Sequence, residues 1–166
     1  MARSIDYRSS SRYPADEVYA VMTDPDFLKA RLERLGGPGA ALLDHAGDHA
    51  GARYRVRHGL DARELPSMVR SFLAGDLVIE RHERWTREAS GRYTGEVDVT
   101  IRGTPASAAG GMRLHDVDAG GSELLVRADA RVDVPFIGGR IEEVIAEQVR
   151  NLLTAETAFT LEWLSR

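Results

Sequence analysis

The residues best able to do chemistry in this sequence are charged side chains placed among apolar neighbours. Glu156 lies near the centre of an apolar helical stripe, where a carboxylate is costly unless it is paired or protonated. Arg81 and Glu83 share the parity of Trp85 in an alternating segment, so all three are expected to face the interior. An Arg81–Glu156 ion pair would satisfy both groups and offer one polar anchor to a bound molecule. The alternatives are a network that is satisfied without any ligand, or a bulge that leaves these charges in solvent.

Three further polar residues are expected on the same interior. His58 closes an inward-facing row that begins at Tyr54, and it could act as a general base or donate a hydrogen bond to a ligand at a cavity mouth. The alternative for His58 is a hydrogen bond to a nearby loop. Tyr93 and Gln148 are also candidates for the lining, the alternative for Tyr93 being a core tyrosine whose hydroxyl is bonded locally.

A pair of histidines four residues apart, His45 and His49, stands beside aspartates in the segment DHAGDH. On a helix this spacing would suggest a metal site. Gly47 and Gly51 indicate a hairpin turn instead, and neither an HExxH motif nor a third ligand accompanies the histidines, so no metal site is predicted. The chain has no cysteine and its glycine pairs form no GxGxxG motif or phosphate-binding loop. We therefore expect no cofactor, no disulfide and no thiolate chemistry.

The charge balance argues against nucleic acid as a partner. The 166 residues carry a net charge of -4, whereas binding to nucleic acid requires a basic surface. Arg53, Arg55 and Arg57 form a stripe that could meet an acidic partner or anionic headgroups, with a solvated sheet face as the alternative. No apolar run approaches the roughly 20 residues of a membrane span, and the first ten residues lack the apolar core of a signal peptide. We expect a cytoplasmic protein without stable membrane insertion, a monomer or a homodimer, with a single domain over residues 1–166.

The elements that must position these residues follow from periodicity. Clean alternation indicates antiparallel strands with one wet face, as where Tyr54, Val56 and His58 oppose the arginine stripe. Pro14 and the pair Asp24-Pro25 each suit the start of a short helix. The predicted order is a first strand at 3–9, helices at 13–24 and 24–35, a hairpin at 41–60, a short amphipathic helical turn at 64–76, and strands at 77–86, 92–101, 110–117 and 122–134.

A long helix closes the chain. At 100° per residue its apolar stripe extends over about 25 residues, or roughly 37 Å, which exceeds the length of one strand. Such a helix fits a curved sheet that wraps around it lengthwise, and this arrangement tends to leave a hollow between the two. The predicted inward stripe is Ile141, Ile145, Gln148, Val149, Leu152, Ala155, Glu156, Phe159 and Trp163, with Glu142, Glu143, Glu147, Arg150 and Thr154 mostly opposite.

The order of elements resembles the START-like helix-grip superfamily, also called SRPBCC, which includes birch-pollen-allergen-type proteins, polyketide cyclases and lipid-transfer domains. The segments MARSIDY, YPADEVYAVMTD, ELPSMVRSFLAGDLVIERHERW and VPFIGGRIEEVI are similar to an uncharacterised branch known mainly from high-GC actinobacteria. The resemblance spans nearly the whole chain. It implies an α+β helix-grip fold, β-α-α-β6-α with about seven antiparallel strands, and a cavity for an apolar or amphipathic ligand. It transfers no catalytic residue.

The leading hypothesis is a non-catalytic protein that binds or transports a lipid-like or polyketide-like small molecule between sheet and helix, with the segment LPSMVRSFL as a lid. One alternative is a polyketide cyclase-like enzyme that uses Glu156, Arg81 and His58. Another is a protein-interaction domain whose cavity is closed by Phe72, Trp85, Phe159 and Trp163. The candidate lining residues are Tyr54, His58, Met68, Phe72, Arg81, Glu83, Trp85, Tyr93, Val97, Gln148, Leu152, Glu156 and Phe159.

Overall fold

Seven antiparallel strands form one open sheet in the order β1-β7-β6-β5-β4-β3-β2. The computed structural model describes residues 2–71 and 75–166, without the side chain of Met68. The predicted α+β helix-grip arrangement is confirmed. The elements are β1 (Ala2–Ser11), α1 (Ala15–Met22), α2 (Pro25–Leu35), β2 (Ala41–Gly47), β3 (Gly51–Leu60), a 3-10 turn (Ala62–Glu64), α3 (Ser67–Arg70), β4 (Leu77–Ala89), β5 (Arg92–Ile101), β6 (Ala106–Asp116), β7 (Ser122–Val132) and α4 (Gly138–Leu164).

Local signals explain how the helices begin and how one of them is held. The Asp24 side chain accepts a hydrogen bond from the backbone N–H of Phe27 at 2.9 Å, and Pro25 fills the first position of α2. The end of α2 is fixed to β3, because the backbone N–H of Gly59 donates to the carbonyl of Gly36 at 2.8 Å. Gly37 follows with a φ of 76°, and a Cβ at Gly37 would lie 1.9 Å from the carbonyl oxygen of Gly59. Only glycine fits this approach.

The long helix α4 has 27 residues and is therefore about 40 Å long. It packs against β1 and β7 at one side of the sheet, and against α1 and α2. Small side chains permit this close contact: Ala128 and Ala130 of β7, Ile5 of β1 and Ala146 of α4 form one buried cluster. The backbone of α4 lies over the β1–β7 side, and long side chains of α4 reach the middle of the sheet, as the Glu156–Arg81 contact with β4 shows.

The rotation of α4 differs from the sequence-based expectation. Gln148, placed on the inward stripe, is exposed, whereas Glu142, placed on the opposite face, is 3% exposed. The Glu142 carboxylate accepts a hydrogen bond from the backbone N–H of Val132 at 2.8 Å, at the end of β7. The predicted inward face of α4 was centred on its apolar residues. The face that is buried in the structure is rotated about the helix axis and includes Ala146 and Thr160. The expectation for Gln148 was therefore wrong.

The buried apolar residues fall into separate clusters. One joins α1 and α2 to the inner faces of β3 to β7 around Trp85 and Tyr93. A second lies at the other end of the sheet around Leu65, Val69 and Ile141. The third is the β1–β7 contact with α4. Within residues 2–71 and 75–166, no helix is both long enough and apolar enough to cross a bilayer.

Candidate functional site

The inner face of the sheet contains a region where apolar side chains are not fully buried. Ile79, Val99 and Ile101 share the inward parity of Arg81 and Val97, yet each is only half-buried. On α4, Ile145 and Leu152 are also half-buried. Solvent therefore reaches these inward-facing apolar side chains in part. Together these side chains form an apolar region on the inner face, between the middle of the sheet and α4, and Val99 also packs against the cluster that α1 and α2 cover.

The charged residues predicted to meet across this interior do meet. Nη1 of Arg81 donates to both carboxylate oxygens of Glu156 at 3.0 Å, so the predicted Arg81–Glu156 pair is confirmed. Arg81 and Glu156 are 9% and 5% exposed. The strand contributes the arginine because Arg81 follows the inward parity of β4, and α4 contributes the carboxylate from its sheet-facing side. The pair joins β4 to α4 across the interior.

A third residue, which the sequence reasoning missed, completes the cation side. Arg31 of α2 is 4% exposed, and its Nε lies 3.4 Å from Oε2 of Glu156. The signal was present in α2, where Phe27, Leu28 and Leu32 are the other buried residues. Residue 31 belongs to that stripe by the i, i+3, i+4 rule. Because Arg31 is a long charged side chain on an apolar stripe, the sequence pattern also indicated Arg31 as a partner of Glu156.

Glu83 completes the network on the sheet side. Its carboxylate accepts hydrogen bonds from the Tyr54 hydroxyl at 2.8 Å and from Nε1 of Trp85 at 3.2 Å. Its second oxygen lies 2.6 Å from Nε of Arg81. With Arg31 and Glu156 included, this network contains two guanidiniums and two carboxylates, which balance in charge. Balance of this kind is needed because an unpaired buried charge is strongly destabilising.

The protonation states follow from these contacts. Burial alone would raise the pKa of Glu156, but Arg31 and Arg81 outweigh it and hold that pKa at about 2. Burial opposes the charge on Arg81 as well, and its two carboxylate neighbours more than compensate, so its pKa is raised. Burial and then Arg81 lower the pKa of His58 to about 4. At neutral pH, Glu156 is therefore ionised and His58 is neutral.

His58 occupies the border between the ionic network and the apolar region. It is 6% exposed and pairs with Ile79 across the β3–β4 ladder. Its Nε2 atom is buried and makes no hydrogen bond to any residue of the described chain. The alternative expected from sequence, a hydrogen bond from His58 to a nearby loop, is not made by Nε2.

Other candidate lining residues serve the core. The ring of Tyr93 stacks on Tyr19 with 3.9 Å between centroids, and its hydroxyl donates to Asp16 of α1 at 2.6 Å. This is the locally bonded tyrosine that was the alternative from sequence. Phe159 stacks on Phe27 with 5.5 Å between centroids, so it joins α4 to α2. Val97 is 8% exposed within the α1–α2 cluster.

The proposed lid is described only in part. Leu65 and Val69 are buried in the cluster that also contains Leu60 and Ile79, so the start of the segment packs against one end of the apolar region. Phe72 lies outside the described residues, as does the side chain of Met68. The predictions that Met68 and Phe72 line the cavity stay predictions.

The histidine pair of the β2–β3 hairpin has local roles. His45 Nε2 lies 2.6 Å from the backbone oxygen of Thr23, and the His45 ring stacks against Tyr54. His49 is exposed at the turn. Over residues 2–71 and 75–166, no group of three or more His, Cys, Asp or Glu side chains is arranged to hold a metal ion.

A second concave surface lies on the opposite face of the sheet. It is a trough of about 960 Å³ that crosses β4, β5, β6, β7 and β1. Four of its charged residues form two ion pairs, Arg127 with Asp6 at 3.0 Å and Arg84 with Glu96 at 2.7 Å. Surface pairs of this kind belong to a solvated sheet face. The trough therefore suits an apolar ligand less well than the inner face.

Comparison with known proteins gives the family and the fold. A family model described as "Protein of unknown function (DUF2505)" matches residues 6–164. An uncharacterised protein of Mycobacterium tuberculosis (strain ATCC 25618 / H37Rv) is 28% identical over 171 residues, which cover 99% of this chain and 98% of that protein. The chain also superposes on a START superfamily protein from Mycobacterium smegmatis, with a TM-score of 0.54, 12% identity, and coverage of 97% and 98% of the two chains.

The structure of the Zhui aromatase/cyclase from Streptomcyes sp. R1128 is similar to this chain as well. Its TM-score is 0.54 at 13% identity, with 98% of this chain and 90% of the cyclase chain covered. At such identities the superpositions show the fold and nothing finer. The START-like fold that the resemblance of the sequence segments implied is confirmed.

Proposed function

Because the chain belongs to the DUF2505 family of proteins of unknown function and has a START-like fold, we propose that it binds an apolar or amphipathic small molecule between sheet and α4. We propose further that residues 1–166 act as one ligand-binding domain. The observation that carries the proposal is the half-buried state of inward-facing apolar residues, among them Ile79, Val99 and Leu152. Filling the space beside them would bury apolar area at roughly 25 cal/mol per Å².

The ionic network supports the proposal from the polar side. Pockets for small molecules are mostly apolar, with a few polar groups that set the orientation of the ligand. Here the charges of Arg31, Arg81, Glu83 and Glu156 balance, so the network rigidifies the wall next to the apolar region without demanding a counter-ion. Nε and Nη2 of Arg31 make no hydrogen bond within the described residues. A ligand would gain affinity from enclosure and orientation from the polar edge.

Two identical substitutions on adjacent residues test the proposal. Ala108 of β6 faces inward and is half-buried, whereas Ala109 faces outward and is exposed. Binding of N-phenyl-1-naphthylamine, a neutral and largely apolar fluorophore, is measured by its fluorescence increase. We expect the wild type to bind the probe, Ala108→Phe to weaken binding at least fivefold, and Ala109→Phe to leave it unchanged. Native-state mass spectrometry after gentle purification should also reveal a co-purified small molecule.

The same two variants also test the alternative of a closed cavity. If the interior is filled, the wild type does not bind the probe, and Ala108→Phe overpacks the core at a cost of about 1–3 kcal/mol. If space is present, the phenyl ring enters it and the free energy of unfolding changes little. Of the aromatic residues named for a closed cavity, Phe159 and Trp163 pack on Phe27 instead.

The enzymatic alternative finds no support at the interior carboxylate. A general acid or base works best when its pKa is near the working pH. Glu156 has a pKa of about 2 and His58 a pKa of about 4, so neither is poised for proton transfer at neutral pH. Binding without catalysis is the function that these groups fit better.

A further inference from the structure

The interior also indicates the chemical class of the ligand. Resting on the proposed function, we propose that the bound molecule is an uncharged amphiphile whose hydroxyl group forms a hydrogen bond with Nε2 of His58. The observation behind this proposal is a polar atom that the protein itself leaves unpaired. The Nε2 atom is buried and has no hydrogen-bond partner within residues 2–71 and 75–166.

An unpaired buried nitrogen is costly to the folded protein. Leaving such a group without a partner costs about 1–3 kcal/mol, and a ligand that supplies the partner recovers that free energy. A neutral imidazole has one N–H donor and one bare acceptor nitrogen, and the tautomer decides which of them is Nε2. A hydroxyl group serves in both cases, because it donates and accepts. A carbonyl oxygen would serve only one tautomer.

The position of His58 suits a ligand that is polar at one end. In the β3–β4 ladder His58 is paired with Ile79, and Leu60 follows it on the same face of β3. Ile79 and Leu60 are half-buried members of the apolar cluster that includes Leu65 and Val69. On its other side, Val56 pairs with Arg81 of the ionic network. A ligand with its hydroxyl at His58 would therefore extend its apolar part along Ile79 and Leu60.

The charge of the surroundings favours an uncharged head group over an anionic one. The ionic groups around His58 are Arg31, Arg81, Glu83 and Glu156, and they already balance. A ligand carboxylate would add a third negative charge to two positive ones. Nη2 of Arg31 makes no hydrogen bond within the described residues and could bind such a carboxylate, but three buried negative charges would then face two positive ones, and neutral His58 would offer no compensating charge. Burial of an unpaired charge is strongly unfavourable, so an alcohol should bind better than the matching acid.

A ligand series on the wild-type protein provides the first test. Decan-1-ol and decanoate have the same chain length, and decanoate is ionised at pH 7.5. Each displaces the bound fluorophore N-phenyl-1-naphthylamine, which measures its affinity. We expect decan-1-ol to bind at least tenfold more tightly than decanoate, with decan-1-ol kept below its solubility limit and decanoate below its micelle concentration. Equal binding, or tighter binding of decanoate, would overturn the proposal.

Variants of His58 provide the second test. His58→Phe removes the hydrogen-bonding nitrogen but keeps an aromatic ring, so it should lower the affinity for decan-1-ol about tenfold relative to its own affinity for the fluorophore. His58→Gln retains a donor and an acceptor and should keep most of the preference for the alcohol. The proposal fails if His58→Phe binds decan-1-ol as the wild type does. If His58→Phe does not fold, the proposal is still tested by the comparison of decan-1-ol with decanoate on the wild type and on His58→Gln.

The experiment separates the two proposals. If the wild type binds no fluorophore, the proposed function fails, and the assignment of His58 fails with it. If the fluorophore binds and Ala108→Phe weakens it, but the alcohol shows no advantage over the acid, then only the inference about His58 is wrong.

Discussion

Replacing Glu156 by glutamine should lower the free energy of unfolding by about 3 kcal/mol at pH 7. The carboxylate is 5% exposed and lies between the guanidinium groups of Arg81 and Arg31, at 3.0 and 3.4 Å. Glu156→Gln preserves the shape of the side chain but removes its charge, so two buried cations face the single carboxylate of Glu83. Breaking a buried ion pair by removing one partner costs about 3–5 kcal/mol.

The pKa of Glu156 gives an independent magnitude. It is about 2 in the folded protein against an ordinary value of 4.5. Each pKa unit corresponds to about 1.36 kcal/mol, so the ionised carboxylate contributes about 3 kcal/mol. Because the folded pKa is the lower one, this stability is fully present above pH 4.5 and is lost as the pH falls toward 2. The difference between wild type and Glu156→Gln should therefore shrink by about half at pH 3.

Urea denaturation at pH 7, 5 and 3 measures the effect, with Glu162→Gln as the matched control. Glu162 lies on the same helix and pairs with Arg34 at 2.9 Å, but both side chains are about half exposed. An exposed pair contributes about 0–1 kcal/mol, so the control should change little at any of these pH values. A loss below 1 kcal/mol for Glu156→Gln at pH 7, or a loss that is the same at pH 3, would refute this reasoning.

Three further predictions concern His58, the contact between α2 and β3, and the loop before α4. The wild-type protein should lose stability as the pH falls from about 6.5 to about 4, because His58 has a pKa of about 4 in the folded protein, which therefore resists its protonation. His58→Phe should abolish this loss. An unchanged pH profile of the melting temperature would contradict this prediction. Gly37→Ala should lower the free energy of unfolding by more than about 3 kcal/mol, because its Cβ would meet the carbonyl oxygen of Gly59 at 1.9 Å. Gly39→Ala is the control and should cost only about 1 kcal/mol, because Gly39 has a similar φ of 74° but open space around its Cβ position. Similar losses for the two variants in urea denaturation would show that β3 moves aside. Phe136→Asn should raise the free energy of unfolding by about 0.5–1 kcal/mol, because Phe136 is fully exposed with a φ of 71° and asparagine tolerates this conformation better. A lower melting temperature would indicate that the phenyl ring makes a stabilising contact.

The sequence predicted the sheet well wherever side chains alternate between large apolar and charged residues. In β3, β5 and β7 the alternation assigned each residue to a face, and the burial of Tyr54, Val97 and Val126 agrees with it. The start of β6 was missed, since Ala106 to Ala109 are small residues without contrast between the two faces. Those small side chains form a strand because β5 and β7 pair with them on both sides.

For the site, the same alternation together with the helical period was enough to predict the Arg81–Glu156 pair. A charged residue on an apolar stripe must find a partner, and parity on β4 left few candidates. The sequence alone also determined that the chain contains no thiol and carries a net negative charge. These conclusions depend on local periodicity and composition, which need no knowledge of how the elements pack.

Only the tertiary structure decided the remaining features. The helical period shows which residues of α4 share a face, but the sheet selects the rotation, and contact with β1 and β7 exposes Gln148 while it buries Glu142. Arg31 contacts Glu156 because α2 packs beside α4, and Phe159 stacks on Phe27 for the same reason. The physical cause is common to these cases: burial and pairing depend on contacts between elements distant in the sequence, and one chain segment does not contain them.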